Sequence, residues 1–147
     1  MKVRRSIAAV AAAALLGGGG AIALPAIASA GSVTHTLKFI SVTKNSVAFS
    51  KSNTGQQDTD VSSKGKTVGF DMLNSTVNTK TGNGTILVTV NASGGFLIGY
   101  LPVAKGKLGA GTVTGGVGAF KGAFGSISAK LLNQAGTRVS VTISYHT

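Results

Sequence analysis

The sequence has no cysteine, no tryptophan, two prolines and only three acidic residues among 147. Without cysteine, the chain cannot form a disulfide, a thiolate nucleophile, a thiolate zinc site or an iron–sulfur cluster. The three acids are all aspartates, at positions 58, 60 and 71, and there are two histidines. Acid–base and metal mechanisms therefore have few residues to draw on.

What the sequence does contain is apolar and basic. Hydrophobic residues make up 43% of the chain, there are 22 glycines, and 14 Lys and Arg give a net charge of +11. The length predicts one domain, and the apolar fraction is sufficient for a buried core.

The first thirty residues differ in composition from the rest. Basic residues open the chain, at Lys2, Arg4 and Arg5. An apolar run follows at 7–16, and small residues occupy Ala28, Ser29 and Ala30. This order is typical of a secretory signal with a cleavage site, so residues 1–30 are predicted to be a signal peptide.

The alternative for this segment is a membrane anchor, because residues 7–30 carry no charge. The four glycines at 17–20 and Pro25 disfavour a long helix, which favours cleavage. We therefore expect a secreted domain, residues 31–147, with eleven basic residues, three acids and a net charge of +8.

The secreted domain is predicted to consist of strands. Alternating, β-branched segments lie at 34–43, 67–73, 85–90, 96–101 and 138–146. Residues 50–64 are polar and are predicted to form a long loop, and 119–132 are predicted to form an interrupted strand. Seven or eight short strands indicate an all-β antiparallel sandwich or closed barrel. Glycines within the strand patterns favour the barrel, at Gly99, Gly109, Gly122 and Gly125.

The most distinctive segment is the glycine-rich stretch 113–125. It lacks the Gly-Lys-Ser/Thr ending of a phosphate-binding loop. We interpret it instead as a tight corner of the barrel, built on Gly115, Gly116, Gly118, Gly122 and Gly125.

This segment resembles the late motif of the dirigent and allene oxide cyclase superfamily. The stretch 57–61 followed by 66–70 is similar to the dirigent acidic loop and the strand after it, and 136–145 fits the last strand. The resemblance is greatest to small secreted bacterial members. It implies an eight-stranded antiparallel β-barrel with an apolar cavity, often a dimer or trimer. It also implies binding of a small hydrophobic ligand, whose cyclisation or coupling is guided without a cofactor.

The resemblance also implies site residues. An aspartate of the acidic loop, Asp58 or Asp60, would line the pocket. The position that matches the pocket arginine of dirigent proteins is Phe124, and the Glu and Cys associated with allene oxide cyclisation have no counterpart.

The residues themselves point to the same aspartates. Asp58, Asp60 and Asp71 lie within fourteen positions, and a carboxyl in an apolar cavity can act as an acid or base at a raised pKa. Asp71 faces away from Phe70 and Met72, so it is a pocket carboxyl if that face is internal; otherwise it is exposed or paired with a lysine. If Asp58 and Asp60 lie in a loop, they would stabilise a turn. They could also ligate calcium, although the sequence around them lacks the further oxygen ligands, at set positions, of a calcium-binding loop. No metal site is predicted.

Aromatic residues and histidines complete the candidates. Five rings are predicted to fill the barrel or line its mouth: Phe70, Phe96, Tyr100, Phe124 and Tyr145. His35 and His146 lie on terminal strands that are neighbours in a closed barrel, where they would either form a metal or proton-transfer pair or be exposed.

Two functions are therefore expected in parallel. The first is a secreted ligand-binding barrel with an isomerase, cyclase or dirigent-like activity. The alternative is a non-catalytic extracellular protein whose positive charge binds anionic polymers of the cell envelope. Nucleic acid is not expected as a partner, because the basic residues are spread out and are not interleaved with aromatics.

Overall fold

A computed structural model of the protein describes residues 33–147, and the predicted signal peptide, residues 1–30, lies outside the described residues. The described part of the chain folds into nine strands. Their bounds are β1 His35–Ala48, β2 Asn53–Val61, β3 Thr67–Val77, β4 Gly84–Ala92, β5 Gly95–Ala104, β6 Lys107–Leu108, β7 Gly111–Gly118, β8 Phe124–Leu131 and β9 Arg138–His146. Residues 33–147 include no helix long and apolar enough to cross a membrane.

The sheet closes on itself. Its strand order is β4-β3-β2-β1-β9-β8-β7-β5, every neighbouring pair is antiparallel, and β4 also pairs with β5. The two-residue β6 only extends the hairpin after β5. The prediction of an all-β, eight-stranded antiparallel barrel is confirmed.

Alternation of side chains places one face of each strand inside. In β9, Val141, Ile143 and Tyr145 are buried, while the residues between them are more exposed. Inward-facing residues of the other strands and two residues of the turn 119–123 complete one apolar core, which consists of Phe39, Val88, Val90, Leu97, Leu101, Val113, Phe120, Ala123, Ile127, Val141, Ile143 and Tyr145. This core fills much of the interior and leaves room near one end.

The two ends of the barrel differ. At one end, which we call the closed end, the turn 119–123 folds back over the interior, and Phe120 and Ala123 are buried. The Phe120 ring meets the Tyr145 ring edge-on, with centroids 5.5 Å apart. At the other end, the open end, Leu108 from the segment after β5 and Gly136 from the turn after β8 contribute to the lining of a cavity.

One predicted loop is a strand. Residues 50–64 contain β2, which pairs with β1 and β3 along its whole length. Both the inward-facing and the outward-facing residues of β2 are mostly polar. Apolar and polar residues therefore do not alternate along this segment, and the sequence shows no strand pattern there. The prediction of a loop here was therefore wrong.

The glycine-rich segment is also divided differently from the prediction. The predicted strand 119–132 begins only at Phe124, because 119–123 form the closing turn. Of the predicted corner glycines, Gly122 lies in this turn with φ +80°. Gly115, Gly116 and Gly118 belong to β7, and Gly125 belongs to β8.

Candidate functional site

The cavity at the open end, which we call the barrel cavity, has a volume of about 130 Å³. Its wall is apolar except for three side chains, Ser41, Gln56 and Asp71. The apolar part of the lining comes from seven strands and includes Phe39, Leu73, Ile86, Val88, Leu101, Leu108, Ile127, Ala129 and Val141. An apolar site with a few convergent polar groups is typical of a ligand-binding cavity.

All three aspartates of the chain are inside the barrel. Asp58 and Asp60 are both inward-facing residues of β2, and Asp71 on β3 is the direct cross-strand partner of Asp58. Each is at most 2% exposed. The loop interpretation of Asp58 and Asp60 was wrong, because both lie in a strand, and Asp71 is a pocket carboxyl.

Asp58 is held by hydrogen bonds. The Ser41 hydroxyl donates to Asp58 Oδ2 at 2.6 Å, and Gln56 Nε2 donates to both carboxylate oxygens at 2.9 and 2.8 Å. Gln56 Nε2 also donates to Thr43 Oγ1 at 2.9 Å, which fixes the amide in place. Both carboxylate oxygens of Asp58 thus have hydrogen-bond donors.

Asp60 and Asp71 lack such partners. Both oxygens of Asp60 and Oδ1 of Asp71 have no hydrogen-bond partner among residues 33–147. The two residues are diagonal neighbours on the inner face of the barrel, because Asp71 is directly opposite Asp58 and Asp60 follows Asp58 on the same face of β2. A single proton shared between them would satisfy oxygens that two ionised carboxylates would leave unpaired.

The environment favours that proton. Burial, followed by the charge of Asp71 and a hydrogen bond with it, raises the pKa of Asp60 from 3.8 to about 8. Burial, followed by the charge of Asp58, raises the pKa of Asp71 to about 6, while hydrogen bonds assigned to Ser41 and Asp60 act in the opposite direction. Because the Ser41 hydroxyl has one hydrogen and donates it to Asp58, we attribute both raised pKa values to burial and neighbouring charge.

The three aspartates do not form a metal centre by geometry. Among residues 33–147, no group of three His or Asp side chains lies close enough to hold a metal ion together. Each histidine instead packs on a different aromatic ring: His35 on Tyr145 and His146 on Phe124, both with centroids 5.2 Å apart. The two imidazoles thus pack against separate rings, and His146 Nδ1 lies 3.4 Å from Thr34 Oγ1.

The five predicted aromatic residues are also dispersed. Phe70, Tyr100 and Phe124 are 37%, 41% and 56% exposed on the outer face of the barrel. Phe96 shares the outward-facing positions of β5 with Tyr100, and only Tyr145 is buried in the core. None of the five lines the barrel cavity, because each lies on the outer face or near the closed end.

Two polar residues of the site were missed by the sequence analysis. Ser41 is the buried hydrogen-bond partner of Asp58. The sequence does contain a signal for it, because Ser41 lies two residues after Phe39 and therefore on the same, inward-facing side of β1. Gln56 has no comparable signal, since it lies in a polar segment whose sequence predicts a loop.

The fold is similar to those of known barrels. A pyocyanin demethylase matches with a TM-score of 0.56 at 16% identity, over 77% of this chain and 99% of the other. An exo-specific intermolecular Diels-Alderase matches with a TM-score of 0.56 at 10% identity, over 78% and 99%. A pterocarpan synthase dirigent protein matches with a TM-score of 0.55 at 16% identity, over 78% and 89%. No family profile and no curated protein sequence matches the chain.

Proposed function

We propose that the protein binds a small apolar molecule in the barrel cavity and guides its cyclisation or coupling without a cofactor, with Asp71 as the acid and base. The observation that carries this proposal is the environment of Asp71. Its carboxyl lines an apolar cavity, has an oxygen without a partner, and has a pKa of about 6. Such a group exchanges protons near neutral pH, as general acid–base catalysis requires.

The proton steps conserve atoms. Protonated Asp71 donates its proton to an oxygen of the ligand as the new bond begins to form, and becomes a carboxylate. The carboxylate then accepts a proton that the ligand loses when the product forms, which restores the acid. No electrons are transferred to or from the protein in this sequence.

The remaining residues have supporting roles. The apolar wall excludes water and holds the ligand in a reactive conformation, which accounts for selectivity. Asp58 is fixed by Ser41 and Gln56, and its charge contributes to the raised pKa of Asp71. Asp58 is thus a positioning residue for the acid.

The volume of the cavity limits the ligand. About 130 Å³ is close to the volume that accommodates one benzene-sized ring in an engineered apolar cavity. A larger molecule would place one ring or a short hydrocarbon segment inside and the rest at the open end. The likeness to a Diels-Alderase and a dirigent protein supports a cyclisation or coupling reaction.

Binding in the cavity is tested first, with benzene as the probe. Ala129 lines the cavity and Ser128, its neighbour, is exposed on the outer face. We expect Ala129→Leu to fill the cavity and weaken benzene binding by about tenfold or more, measured by NMR titration. Ser128→Leu, which adds the same side chain outside, should bind as the wild type does. Equal binding by all three proteins would contradict the proposed site.

Catalysis is tested on the molecule that the protein itself retains. Native mass spectrometry of the purified protein identifies a copurifying compound, whose conversion is then followed by chromatography and NMR. Asp71→Asn should abolish conversion while preserving the fold and benzene binding. Unchanged product ratios in Asp58→Asn, Asp60→Asn and Asp71→Asn would exclude an acid–base role.

Secretion and envelope binding are further proposals for the same protein. The charge pattern of residues 1–30 supports export, and the net charge of +8 on residues 31–147 supports attraction to anionic envelope polymers. If the barrel binds no small ligand, this second role is the alternative function.

A further inference from the structure

A second cavity, which we call the side cavity, lies towards the closed end. Its volume is about 300 Å³ and its lining includes Asp60, Val90 and Asn91. Three of its other lining residues, Thr36, Lys38 and Val68, are exposed, so it communicates with solvent. Asp71 does not line the side cavity, and Asp60 does not line the barrel cavity.

The register of the strands explains this opening. β1 pairs with β9 from His35 onward, but it pairs with β2 only from Ile40, opposite Val61. The first residues of β1 therefore have no neighbour in β2, which ends before it reaches them. The wall of the barrel is incomplete at this point, next to Asp60.

The two acids thus face different spaces. Asp71 faces the barrel cavity, where the proposed ligand binds, and Asp60 faces the side cavity, which opens to solvent. Asp60 follows Asp58 on the inner face of β2, and Asp58 is directly opposite Asp71, so Asp60 and Asp71 are diagonal neighbours inside the barrel. Both oxygens of Asp60 lack a hydrogen-bond partner among the described residues.

We propose that Asp60 and Asp71 form a proton relay, in which Asp60 exchanges protons with solvent through the side cavity and passes them to Asp71 at the barrel cavity. This inference rests on the proposed acid role of Asp71. When Asp71 has donated its proton to the ligand, Asp60 gives its own proton to the Asp71 carboxylate. Asp60 then takes a proton from a water or buffer acid in the side cavity. One proton leaves solvent for each proton that reaches the ligand, and no electrons are transferred.

Such a relay lets a ligand fill the barrel cavity without isolating the acid. A bound apolar molecule excludes water from Asp71, and an acid cut off from solvent could not be recharged. Two other ionisable groups face the pair. Asp58 lies beside Asp71 from β2, and Lys38 lines the side cavity from β1. The charge of Asp58 acts on both carboxyl groups of the pair.

The experiment uses ligand-free protein that carries Ala129→Leu, which fills the barrel cavity as a bound ligand would and keeps water from Asp71. The outcome therefore does not depend on the reaction. A jump from about pH 5 to about pH 9 removes both protons, since it crosses the pKa values of about 6 and about 8. Time-resolved infrared absorption of the protonated carboxyl groups measures the rate. Thr36→Trp places a large side chain over the side cavity, and Leu131→Trp places the same side chain at the barrel cavity.

We expect Thr36→Trp to slow proton loss by about tenfold or more, and Leu131→Trp to leave the rate unchanged. Both sites are exposed, so circular dichroism should show the wild-type fold for both variants. Asp60→Asn leaves Asp71 as the remaining carboxyl of the pair. Its rate of proton loss should be at least about tenfold lower than when Asp60 is present. The relay is overturned if Thr36→Trp leaves the rate unchanged, if Leu131→Trp slows it equally, or if Asp71 exchanges as fast without Asp60. A failure of the proposed function would instead appear as absent ligand binding or conversion, with these rates unaffected.

Discussion

At the scale of single residues, three identical side chains have different chemistry because their neighbours differ. Asp58 accepts hydrogen bonds from Ser41 and Gln56, whereas both oxygens of Asp60 lack a donor. Asp58 and Asp60 are separated by one residue on the same face of β2. The difference is therefore set by which side chains of β1 and β2 reach each carboxyl, and not by depth of burial.

The raised pKa values predict how stability depends on pH. The folded protein binds the protons of Asp60 and Asp71 more tightly than the unfolded chain, whose aspartates titrate near 3.8. The contribution of these two groups to the free energy of unfolding should therefore be largest below about pH 4. This contribution should be lost as the pH rises through about 6 to about 8. Asp60→Asn removes one of the two groups, so we expect its stability to vary less over this range.

Urea denaturation between pH 6 and pH 9 measures this effect. At the upper end Asp60→Asn should exceed the wild type by at least about 1 kcal/mol, because one unit of pKa shift corresponds to about 1.4 kcal/mol. Parallel pH curves for the two proteins would show that Asp60 is not perturbed in the folded state.

At the scale of elements, the glycine-rich segment makes the closed end possible. A Cβ at Gly116 would lie 2.4 Å from the Phe120 carbonyl oxygen and 2.7 Å from the Phe120 Cβ. A Cβ at Gly95 would lie 2.2 Å from the Val117 carbonyl oxygen. The turn 119–123 can fold over the interior only because these positions carry no side chain. The glycines are thus explained by packing at the closed end, and no bound phosphate is needed to account for them.

Two neighbouring glycines in β7 test this explanation. Gly116→Ala should push Phe120 away from the interior and lower the free energy of unfolding by about 2 kcal/mol, as overpacking in a core does. Gly115→Ala is the matched control, because a Cβ there meets no atom within 4 Å. Its effect should stay within about 0.5 kcal/mol. Thermal or urea denaturation distinguishes the two, and equal losses would mean that chain flexibility, not contact with Phe120, decides the requirement for glycine.

At the scale of the whole molecule, the barrel has a basic exterior and an acidic interior. All three acids are buried, so the surface of residues 33–147 carries eleven Lys and Arg without a single exposed carboxylate side chain. The outer face also carries exposed apolar side chains, among them Phe70, Met72, Leu87 and Val117. A dimer or trimer that covers such residues stays a prediction, which sedimentation would test.

The basic exterior predicts salt-sensitive binding to anionic polymers. Residues 31–147 should bind isolated cell-wall material at low ionic strength and be released as added salt shortens the range of electrostatic attraction. Co-sedimentation at increasing salt concentration measures this. Lys105→Glu combined with Lys107→Glu should weaken retention without altering benzene binding, because both lysines are exposed, Lys105 in the turn after β5 and Lys107 at the start of β6. Retention that is independent of salt would contradict the electrostatic origin.

The sequence by itself determined the class of fold. The barrel strands with apolar inner faces can be recognised from the alternation of apolar and polar residues and from the glycines at the turns. It also identified Asp58, Asp60 and Asp71, since a chain with three acids offers no others. Only the tertiary structure decided that β2 is a strand, because a strand whose inward residues are polar has no hydrophobic period until its neighbours are known. The same holds for the separation of Asp60 from Asp71 into two cavities. That separation depends on where β2 stops beside β1, which is a matter of register between strands and is not encoded in any local pattern.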